Sequence, residues 1–260
     1  MSSDPILLDF EGPIAIVSNN RPEKHNAAND AMDRRLFEIL GELNRREGLR
    51  AVVWRGNGPS FSSGRDTGEL GVRTEDLTDL EFIERGHRGT LQLLTLPAPI
   101  IAALRGWVIG GSFERALLCD LRIAGESAKM MLPEIRHGVV PDSAGTARLF
   151  QIAGHGLVAD LALTGRVMDA QEALRHGVVS RVVPDADLDK TALEIARQIA
   201  AAPAFTVQMF RRTLGRMANP LATTSLAEEA LTQSLVFASR DYAEMKAARA
   251  EKREPRYRNR

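Results

Sequence analysis

The sequence predicts an α/β fold followed by a helical C-terminal region. Up to about residue 145, short apolar segments of strand-like composition alternate with segments in which apolar residues recur at helical spacing. Beyond that point the helical pattern dominates. The 260 residues suffice for one large domain, or for one domain with a short appendage, and for an ample core.

The first elements are a strand pair and a helix. ILLDF (6–10) and IAIVSNN (14–20) flank EGP, a pattern typical of two strands joined by a tight turn. Asn29 is expected to cap the next helix. The apolar residues that recur at helical spacing in this helix are Met32, Leu36, Ile39, Leu40 and Leu43.

The middle of the chain continues the alternation. AVVWR (51–55) reads as a short apolar strand, and a Gly/Ser-rich loop follows it through residue 68. A helix is expected near residues 76–95, followed by the buried strand PIIAAL (99–104) and then by DLRIA (120–124).

The last third is predicted to be mainly helical, with VVSRVV (178–183) as its one extended segment. We therefore expect an α/β core over residues 1–195 and a C-terminal helical region over residues 196–260.

Composition argues against several classes of protein. The 34 Lys and Arg residues balance 34 Asp and Glu residues, which is unlike a nucleic-acid-binding protein. The single Cys119 has no partner for an internal disulfide and is expected to be a small buried residue. MSSDPILLDF lacks the features of an export signal, and no apolar run approaches ~18 residues. The expected location is cytoplasmic, away from membranes.

Several known motifs are absent from the sequence. GNGPSF (56–61) follows a strand, but Phe61 occupies the third glycine position of a dinucleotide loop. No G-x-S-x-G elbow or phosphate loop is found, and the histidines have no metal-ligand spacing, so no metal site is predicted.

One carboxylate stands out. Glu114 lies in an otherwise apolar helical pattern that begins directly after the pair Gly110-Gly111. An unpartnered buried carboxylate costs several kcal/mol or stays protonated. Glu114 is therefore either an edge residue or a group held for chemistry.

Five segments together resemble the enoyl-CoA hydratase/isomerase (crotonase) family over nearly the whole chain. They are NRPEKHNAAN (20–29), FSSGRDTGEL (61–70), GWVIGGSFERALLCDLRIA (106–124), LPEIRHGVVPDSAGTARL (132–149) and LTGRVMDAQEALRHGVVSRVV (163–183). Each segment alone is a weak signal, whereas their order and spacing are specific. The resemblance implies a spiral of β-β-α units, a C-terminal helical region used for trimer formation, and acyl-CoA thioester substrates. It implies no separate cofactor, because CoA is part of the substrate.

The resemblance also implies an oxyanion hole. Its donors match the N–H of Arg65, just after Gly64, and the N–H of Gly111 at the start of the helix that carries Glu114. Two preorganised N–H donors stabilise an enolate oxygen by several kcal/mol. Arg65 is bulkier than the small residue usual in the family, and its side chain is expected either to narrow the pocket or to reach a CoA phosphate.

Glu114 and Glu134 match the two catalytic glutamates of the hydratases. Two close carboxylates do not ionise together easily, so one tends to remain protonated while the other acts as a base. The implied mechanism adds water to the β-carbon of a trans-2-enoyl-CoA with help from Glu114, while Glu134 handles the proton at the α-carbon. The structural alternative pairs Glu114 with a neighbouring arginine and leaves Glu134 solvated on a loop.

Asp142 departs from the hydratase pattern, in which a small residue is typical at this position. A carboxylate here resembles the dienoyl-CoA isomerases and the isomerases of the phenylacetate pathway, in which it shuttles a proton along the substrate. Asp142 also precedes the predicted helix SAGTARLF, which it would cap. Both interpretations remain open from the sequence.

The resemblance assigns further residues to substrate binding. Lys24 and His25 match the adenine-side loop of the family, and Lys252 matches a lysine of the terminal helix that reaches CoA in a neighbouring subunit. The tail 246–260 carries seven Lys and Arg residues against two Glu. A solvated basic helix end is the alternative for this tail. The remaining assigned residues are Ala27, Ser63, Gly64, Asp66, Thr67, Trp107, Gly110, Pro133 and Pro141.

Three functions follow from these residues. The first is an enoyl-CoA hydratase that assembles as a trimer or as a dimer of trimers. The second is an enoyl-CoA or dienoyl-CoA isomerase that uses Glu134 and Asp142. The third is a non-catalytic acyl-CoA-binding member of the family, which would not need the acids.

Overall fold

A computed structural model describes residues 4–68 and 76–258 of the chain. Residues Glu69 and Leu70 of the segment 61–70, and the last two residues of the basic tail, lie outside the described ranges. The strands are β1 (Ile6–Glu11), β2 (Ile14–Asn19), β3 (Ala51–Gly56), β4 (Ile100–Leu104), β5 (Trp107–Ile109), β6 (Leu121–Gly125), β7 (Lys129–Met131), β8 (Val167–Asp169) and β9 (Arg181–Val183).

Eight α-helices connect and follow these strands within the described residues. They are α1 (Asp30–Arg45), α2 (Asp79–Thr95), α3 (Gly111–Leu117), α4 (Gly145–Thr164), α5 (Ala170–Arg175), α6 (Leu188–Ala201), α7 (Ala204–Phe237) and α8 (Arg240–Ala250). No helix in the described ranges has both the length and the apolar run needed to cross a membrane.

The strands form two sheets. The larger sheet has the order β1-β2-β3-β4-β6-β9, in which only the β1–β2 pair is antiparallel. The smaller sheet has the order β5-β7-β8. The chain visits one sheet and then the other, as β4-β5-α3 and then β6-β7-α4, which confirms the predicted spiral of β-β-α units.

The larger sheet is buried on both faces, as parallel sheets usually are. Alternate residues of β3 show this, because Val52 and Trp54 join the core beneath α1 and α2 whereas Ala51 and Val53 join a second core beneath α6. The site described below lies on the α1–α2 side.

Most local predictions are confirmed. The β1–β2 hairpin and strands β3 and β4 lie where the sequence pattern places them, and the Asn29 side chain accepts a hydrogen bond from the Met32 N–H at 3.0 Å. The extended segment predicted over 178–183 is wrong in its first half, because only Arg181–Val183 pairs with β6. The three-residue strands β5, β7 and β8 were not predicted, because they are too short for periodicity to reveal.

The C-terminal helices pack back on the core. Residue 195 falls inside α6, whose buried residues through Ala196 cover the larger sheet. The 34-residue α7 contacts both α2 and α4. The division at residues 195 and 196 therefore cuts a helix that belongs to the core side.

Gly145 allows α3 and α4 to approach closely. A Cβ at Gly145 would lie 2.3 Å from both Cα and Cβ of Glu114, a separation that real atoms do not show. We expect Gly145→Ala to lower the free energy of unfolding by about 1–3 kcal/mol through overpacking, measured by chemical denaturation.

Gly156→Ala, in the same helix, is the matched control. A Cβ at Gly156 has no heavy atom within 4 Å, so this variant should be as stable as wild type or slightly more stable. Equal stability of the Gly145 and Gly156 variants would contradict the close-contact argument.

Candidate active site

Four of the predicted site residues line one cavity of about 180 Å³, namely Arg65, Gly111, Glu134 and Asp142. The cavity lies among α1, α2, α3 and the C-terminal helices α7 and α8. Two of the proposed catalytic carboxyl residues and the two proposed oxyanion residues therefore line the same cavity.

The turn between β5 and α3 presents the Gly111 N–H. Gly110 adopts φ 60° and ψ −139°, a conformation open essentially to glycine alone. Gly111 is the first residue of α3, so its N–H has no partner within the helix, and it makes no hydrogen bond with any described residue. The donor is available to a ligand.

The loop after β3 brings Arg65 to the same place. Ser62 bonds to β5 through the Trp107 carbonyl and the Ile109 N–H, both at 3.0 Å. The Gly64 carbonyl accepts from the Ala28 N–H, and the next hydrogen bond skips to Asp66. The intervening Arg65 N–H bonds to no residue in the described ranges.

The Arg65 side chain lines the cavity and is paired with carboxylates of α1. Its guanidinium pairs with Asp33 at 3.2 Å and also with Asp30, both of them on α1. The guanidinium is held by α1, and both expectations for this side chain stay predictions.

Glu114 is completely buried and holds the start of α4. Its carboxylate accepts three backbone N–H bonds, from Asp142, Ser143 and Gly145, each at 3.2 Å. Burial and the nearby carboxyl of Glu134 raise the pKa of Glu114 well above its ordinary value. The alternative that paired this carboxylate with an arginine is wrong, since its partners are backbone amides.

Glu134 is not a solvated loop residue. One carboxyl oxygen, Oε2, is buried and has no hydrogen-bond partner among the described residues. The other, Oε1, lies 2.8 Å from where a Cβ on Gly110 would be, so the carboxyl lies against the glycine turn. Burial raises the pKa of Glu134 to about 7, with a further contribution from the charge of Asp142.

Asp142 does not cap α4. The N-cap of that helix is Ala144, with φ 61°, and within the described residues no side-chain cap bond is present there. Instead, carboxylates distant in sequence accept hydrogen bonds from the amides at the start of α4. Glu229 of α7, for example, accepts from the Ala144 N–H at 2.9 Å. Burial raises the pKa of Asp142 to about 6, as does the charge of Glu229, while Arg115 opposes the rise. The capping interpretation is therefore wrong.

Three residues around this loop were missed by the sequence analysis. His87 Nε2 lies 2.8 Å from the Asp142 carbonyl oxygen, the Gln233 side chain accepts from the Val140 N–H at 2.9 Å, and Glu229 holds Ala144. Glu229 and Gln233 lie four residues apart on α7, so they share one helix face. In the sequence, Glu229 and Gln233 could have been noticed only as a polar pair on one face of a long helical segment.

The residues predicted on the adenine side form a separate cluster beside the cavity. The Asp66 carboxylate pairs with Arg21 at 3.1 Å and Lys24 at 3.2 Å. Burial alone would raise the pKa of Asp66, but bonds from Gly68, Lys24 and Arg21 outweigh it and lower the pKa. Asp66 thus fixes this loop. The His25 imidazole contacts Ser60 Oγ at 2.9 Å, and the Ser63 N–H donates to the His25 carbonyl.

The other predicted binding residues are spread around the site. Trp107 packs beneath the Lys129 ammonium, 5.3 Å from the ring centroid, and Thr67 is exposed at the end of the loop. Lys252 is exposed just after α8 and does not line the cavity. The remaining three, Ala27, Pro133 and Pro141, are buried or half-buried beside lining residues. Among the residues that the structure describes, no cluster of His, Cys, Asp and Glu side chains is arranged to hold a metal ion.

The fold is a spiral of β-β-α units, and its site places buried carboxyls beside two backbone N–H groups that make no hydrogen bond within the described residues. These features define a class of α/β protein suited to acid–base chemistry at a carbonyl compound. Comparison with known proteins identifies the family. The sequence profile described as "Enoyl-CoA hydratase/isomerase" matches residues 9–260, and the chain belongs to this family.

The relatives of this chain include proteins named as hydratases and proteins named as isomerases. The chain is 34% identical over 261 residues, covering all of both chains, to a probable enoyl-CoA hydratase of Mycobacterium tuberculosis. It is 32% identical over 255 residues, 97% of each chain, to a 1,2-epoxyphenylacetyl-CoA isomerase of Escherichia coli. Among solved structures, an enoyl-CoA hydratase/isomerase from Pseudoalteromonas atlantica superposes with a TM-score of 0.88 at 29% identity, covering 98% of this chain and 100% of that one.

Because the pKa of Glu134 is raised in the folded protein, we expect the stability of the protein to depend on pH. Below its ordinary pKa of 4.5 this carboxyl is protonated in both the folded and the unfolded chain. As pH rises from 4.5 to 7, the unfolded chain releases the proton first, so folding is progressively disfavoured. We expect the free energy of unfolding of wild type to fall relative to Glu134→Gln by roughly 1–3 kcal/mol over this range.

The measurement is urea denaturation of both proteins at several pH values. Glu23→Gln, at an exposed glutamate, is the control and should follow wild type throughout. A wild-type curve parallel to that of Glu134→Gln would show that Glu134 titrates alike in both states.

Proposed function

We propose that this protein is an enoyl-CoA hydratase, which adds water reversibly to a trans-2-enoyl-CoA thioester. The observation that carries the proposal is the Glu134 carboxyl, desolvated against the Gly110-Gly111 turn and close enough to Glu114 to raise its pKa. The hydratase names of relatives over the full chain length support the same activity.

Addition of water at the β-carbon builds negative charge on the thioester oxygen. In our proposal the N–H groups of Arg65 and Gly111 stabilise that charge, since both line the cavity and neither is used within the described structure. The N-terminal end of α3 adds its partial positive charge at Gly111.

The two glutamates then divide the proton transfers. With a pKa near 7, Glu134 is able both to deliver a proton and to take it back at neutral pH, which suits its role at the α-carbon. Glu114 holds the attacking water at the β-carbon. Its three amide bonds hold the carboxylate in place. As the water oxygen bonds to the β-carbon, Glu114 accepts the proton that the water loses and Glu134 gives its own proton to the α-carbon. Return of the proton from Glu114 to Glu134 restores the starting state.

A second candidate, double-bond isomerisation, is favoured by Asp142. This residue lines the cavity beside Glu134, and the helix cap does not use its side chain. A second acid on the cavity is what a proton shuttle between two carbons requires. The isomerase name of the Escherichia coli relative is consistent with this chemistry. A non-catalytic binding protein would have no need of three carboxyls held at raised pKa.

Acyl-CoA recognition completes the proposal. We propose that Lys24 and His25 lie along the adenine end of CoA, that Lys252 reaches CoA in a neighbouring subunit, and that no separate cofactor is required. The protein is further proposed to act in the cytoplasm as a trimer or as a dimer of trimers.

Glu134→Gln should lower kcat for hydration of a short trans-2-enoyl-CoA by at least about 10²-fold with little change in KM, because the α-carbon loses its proton donor while binding contacts remain. Product mass distinguishes the reactions, since hydration adds water and isomerisation does not.

Asp142→Asn is the matched variant. If the protein is a hydratase, hydration by this variant stays within about threefold of wild type; if it is an isomerase, the variant loses double-bond migration on a 3-enoyl-CoA or dienoyl-CoA. Migration without detectable hydration in wild type would replace the first candidate by the second.

The proposed trimer or hexamer can be tested separately, through the surface that would form its interface. Phe210, Leu214, Met217 and Leu221 form an exposed apolar stripe at helical spacing on α7. Phe210→Glu combined with Met217→Glu should convert a trimer or hexamer into single chains of 28.5 kDa in light scattering. Leu163→Glu, at an equally exposed position on α4, is the control. An unaltered mass in the double variant would move the interface elsewhere.

A further inference from the structure

Two buried hydroxyl groups lie between the two segments that carry the proposed oxyanion donors. Ser62 precedes Arg65 by three residues in the loop after β3. Ser112 directly follows Gly111 in α3. The two side-chain oxygens are 2.9 Å apart, and the residues are 0% and 8% exposed. Within the described residues, this is the only hydrogen bond that joins the loop 61–66 to α3.

The direction of this bond follows from the other partners of Ser62. A hydroxyl has a single proton to donate, and Ser62 Oγ donates its proton to the Asn26 carbonyl at 2.7 Å. Ser62 Oγ is therefore the acceptor, and the Ser112 hydroxyl donates to it. Ser62 Oγ also accepts from the Gly64 N–H at 3.3 Å. One oxygen thus contacts the residue before one oxyanion donor and the residue after the other.

The far end of this hydrogen-bond chain is anchored. Asn26 is fully buried, and its side-chain oxygen accepts from the Arg21 N–H at 2.7 Å. Its side-chain amide donates to the carbonyls of Asn57 and Ser60, at 2.9 and 2.7 Å. Hydrogen bonds that form a chain in a medium of low dielectric strengthen one another. The Asn26 carbonyl is therefore a fixed reference point for both hydroxyls.

Backbone bonds hold the two segments only through the smaller sheet. The N–H and carbonyl of Ser62 bond to β5, and the Gly110 N–H donates to the Met131 carbonyl of β7 at 2.9 Å. These strands set the approximate positions of the loop and of the start of α3. The bond between the hydroxyls joins the two segments directly, so it bears on the distance between their N–H groups.

The Ser112 hydroxyl is not available as a donor to a substrate, although Ser112 lines the cavity. Its proton is directed to Ser62 Oγ, which has none to give in return. The lone pairs that remain on Ser112 Oγ would repel a negatively charged oxygen. Its contribution to the chemistry is therefore made through the positions of the neighbouring N–H groups.

We propose that Ser62 and Ser112 are positioning residues, whose mutual hydrogen bond sets the separation of the Arg65 and Gly111 N–H groups. An oxyanion donor is effective only at about 2.7–3.1 Å from the oxygen as it becomes charged. A displacement of ~1 Å costs on the order of 10²-fold in rate, so a bond that limits such displacement matters. The inference rests on the proposed hydratase function and adds two residues that support its oxyanion hole.

The first test is kinetic. Ser112→Ala should lower kcat for hydration of a short trans-2-enoyl-CoA about 10-fold and leave KM within about threefold, because the charge on the thioester oxygen develops only in the transition state. Ser62→Ala removes the same bond and also the acceptor of the Gly64 N–H, so its loss should be at least as large. The double variant should lose little more than Ser62→Ala alone, since both hydroxyls act through one bond.

The second test measures the oxyanion hole without turnover. The probe is 3-oxobutanoyl-CoA, which has no double bond to hydrate. Its protons between two carbonyl groups are acidic, and the enolate that forms on their loss absorbs in the near ultraviolet, unlike the keto form. The enolate carries the charge that the hole stabilises. At fixed pH, the ratio of bound enolate to bound keto form should be about 10-fold lower in Ser112→Ala than in wild type.

Ser18→Ala is the matched control. Ser18 is also buried, and its hydroxyl accepts a hydrogen bond from Arg55 Nε at 3.1 Å, but it lies on β2 and does not line the cavity. This variant also loses a buried, hydrogen-bonded serine hydroxyl. Its kcat and its enolate ratio should both match those of wild type.

Each outcome supports or overturns the proposal. A wild-type kcat and enolate ratio in Ser112→Ala overturn it and leave the hydratase proposal standing. A lower kcat with an unchanged enolate ratio, or additive losses in the double variant, also overturn it. If wild type does not hydrate 2-enoyl thioesters but the enolate ratio falls in both single variants, the reaction is contradicted and the role of the hydroxyls is supported. A wild type that binds the probe without any enolate contradicts the oxyanion hole itself.

Discussion

The site depends on one buried carboxylate. Glu114, with no exposed surface, accepts the N–H groups of Asp142, Ser143 and Gly145 and so joins α3 to the start of α4. An unpartnered carboxylate at this depth would cost several kcal/mol, and these three amides are what make its burial tolerable. The close approach of the two helices requires glycine at position 145, and it determines where Asp142 faces the cavity. The positions of Glu114 and Asp142 follow from this junction.

The same junction concentrates like charges. Glu114, Glu134 and Asp142 are all desolvated, and each has a neighbouring carboxylate that raises its pKa. This arrangement opposes folding at neutral pH, because the unfolded chain would release protons more easily. Proton transfer near pH 7 needs groups whose pKa lies near 7, so the chemistry requires what stability disfavours. The backbone amides that bond to Glu114, and the charges of Arg115 and Arg65 near Asp142, offset part of this cost.

The C-terminal helices complete the site rather than merely following it. Glu229 of α7 accepts from the Ala144 N–H, and Gln233 accepts from the Val140 N–H, so this helix holds the loop between residues 140 and 144 from the far side. Ala144 adopts φ 61°, a conformation that non-glycine residues rarely adopt, and the contacts on both sides maintain it. The loop that carries Asp142 is thus held by residues more than 80 positions away.

The sequence by itself determined the alternating strands and helices, the Asn29 cap, the glycine turn before α3 and the family, because these depend on local periodicity and on motifs read in order. It also singled out Glu114, Glu134 and Asp142, the last two of which line the cavity with Arg65 and Gly111. Only the tertiary structure decided how these carboxyls are satisfied. Glu114 accepts hydrogen bonds from amides 28 to 31 residues away. The Ala144 amide at the start of α4 donates to Glu229 of α7, and the carboxylates that pair with Arg65 come from α1. Hydrogen-bond partners distant in the chain have no periodic signature, since their proximity arises only once the helices have packed against one another.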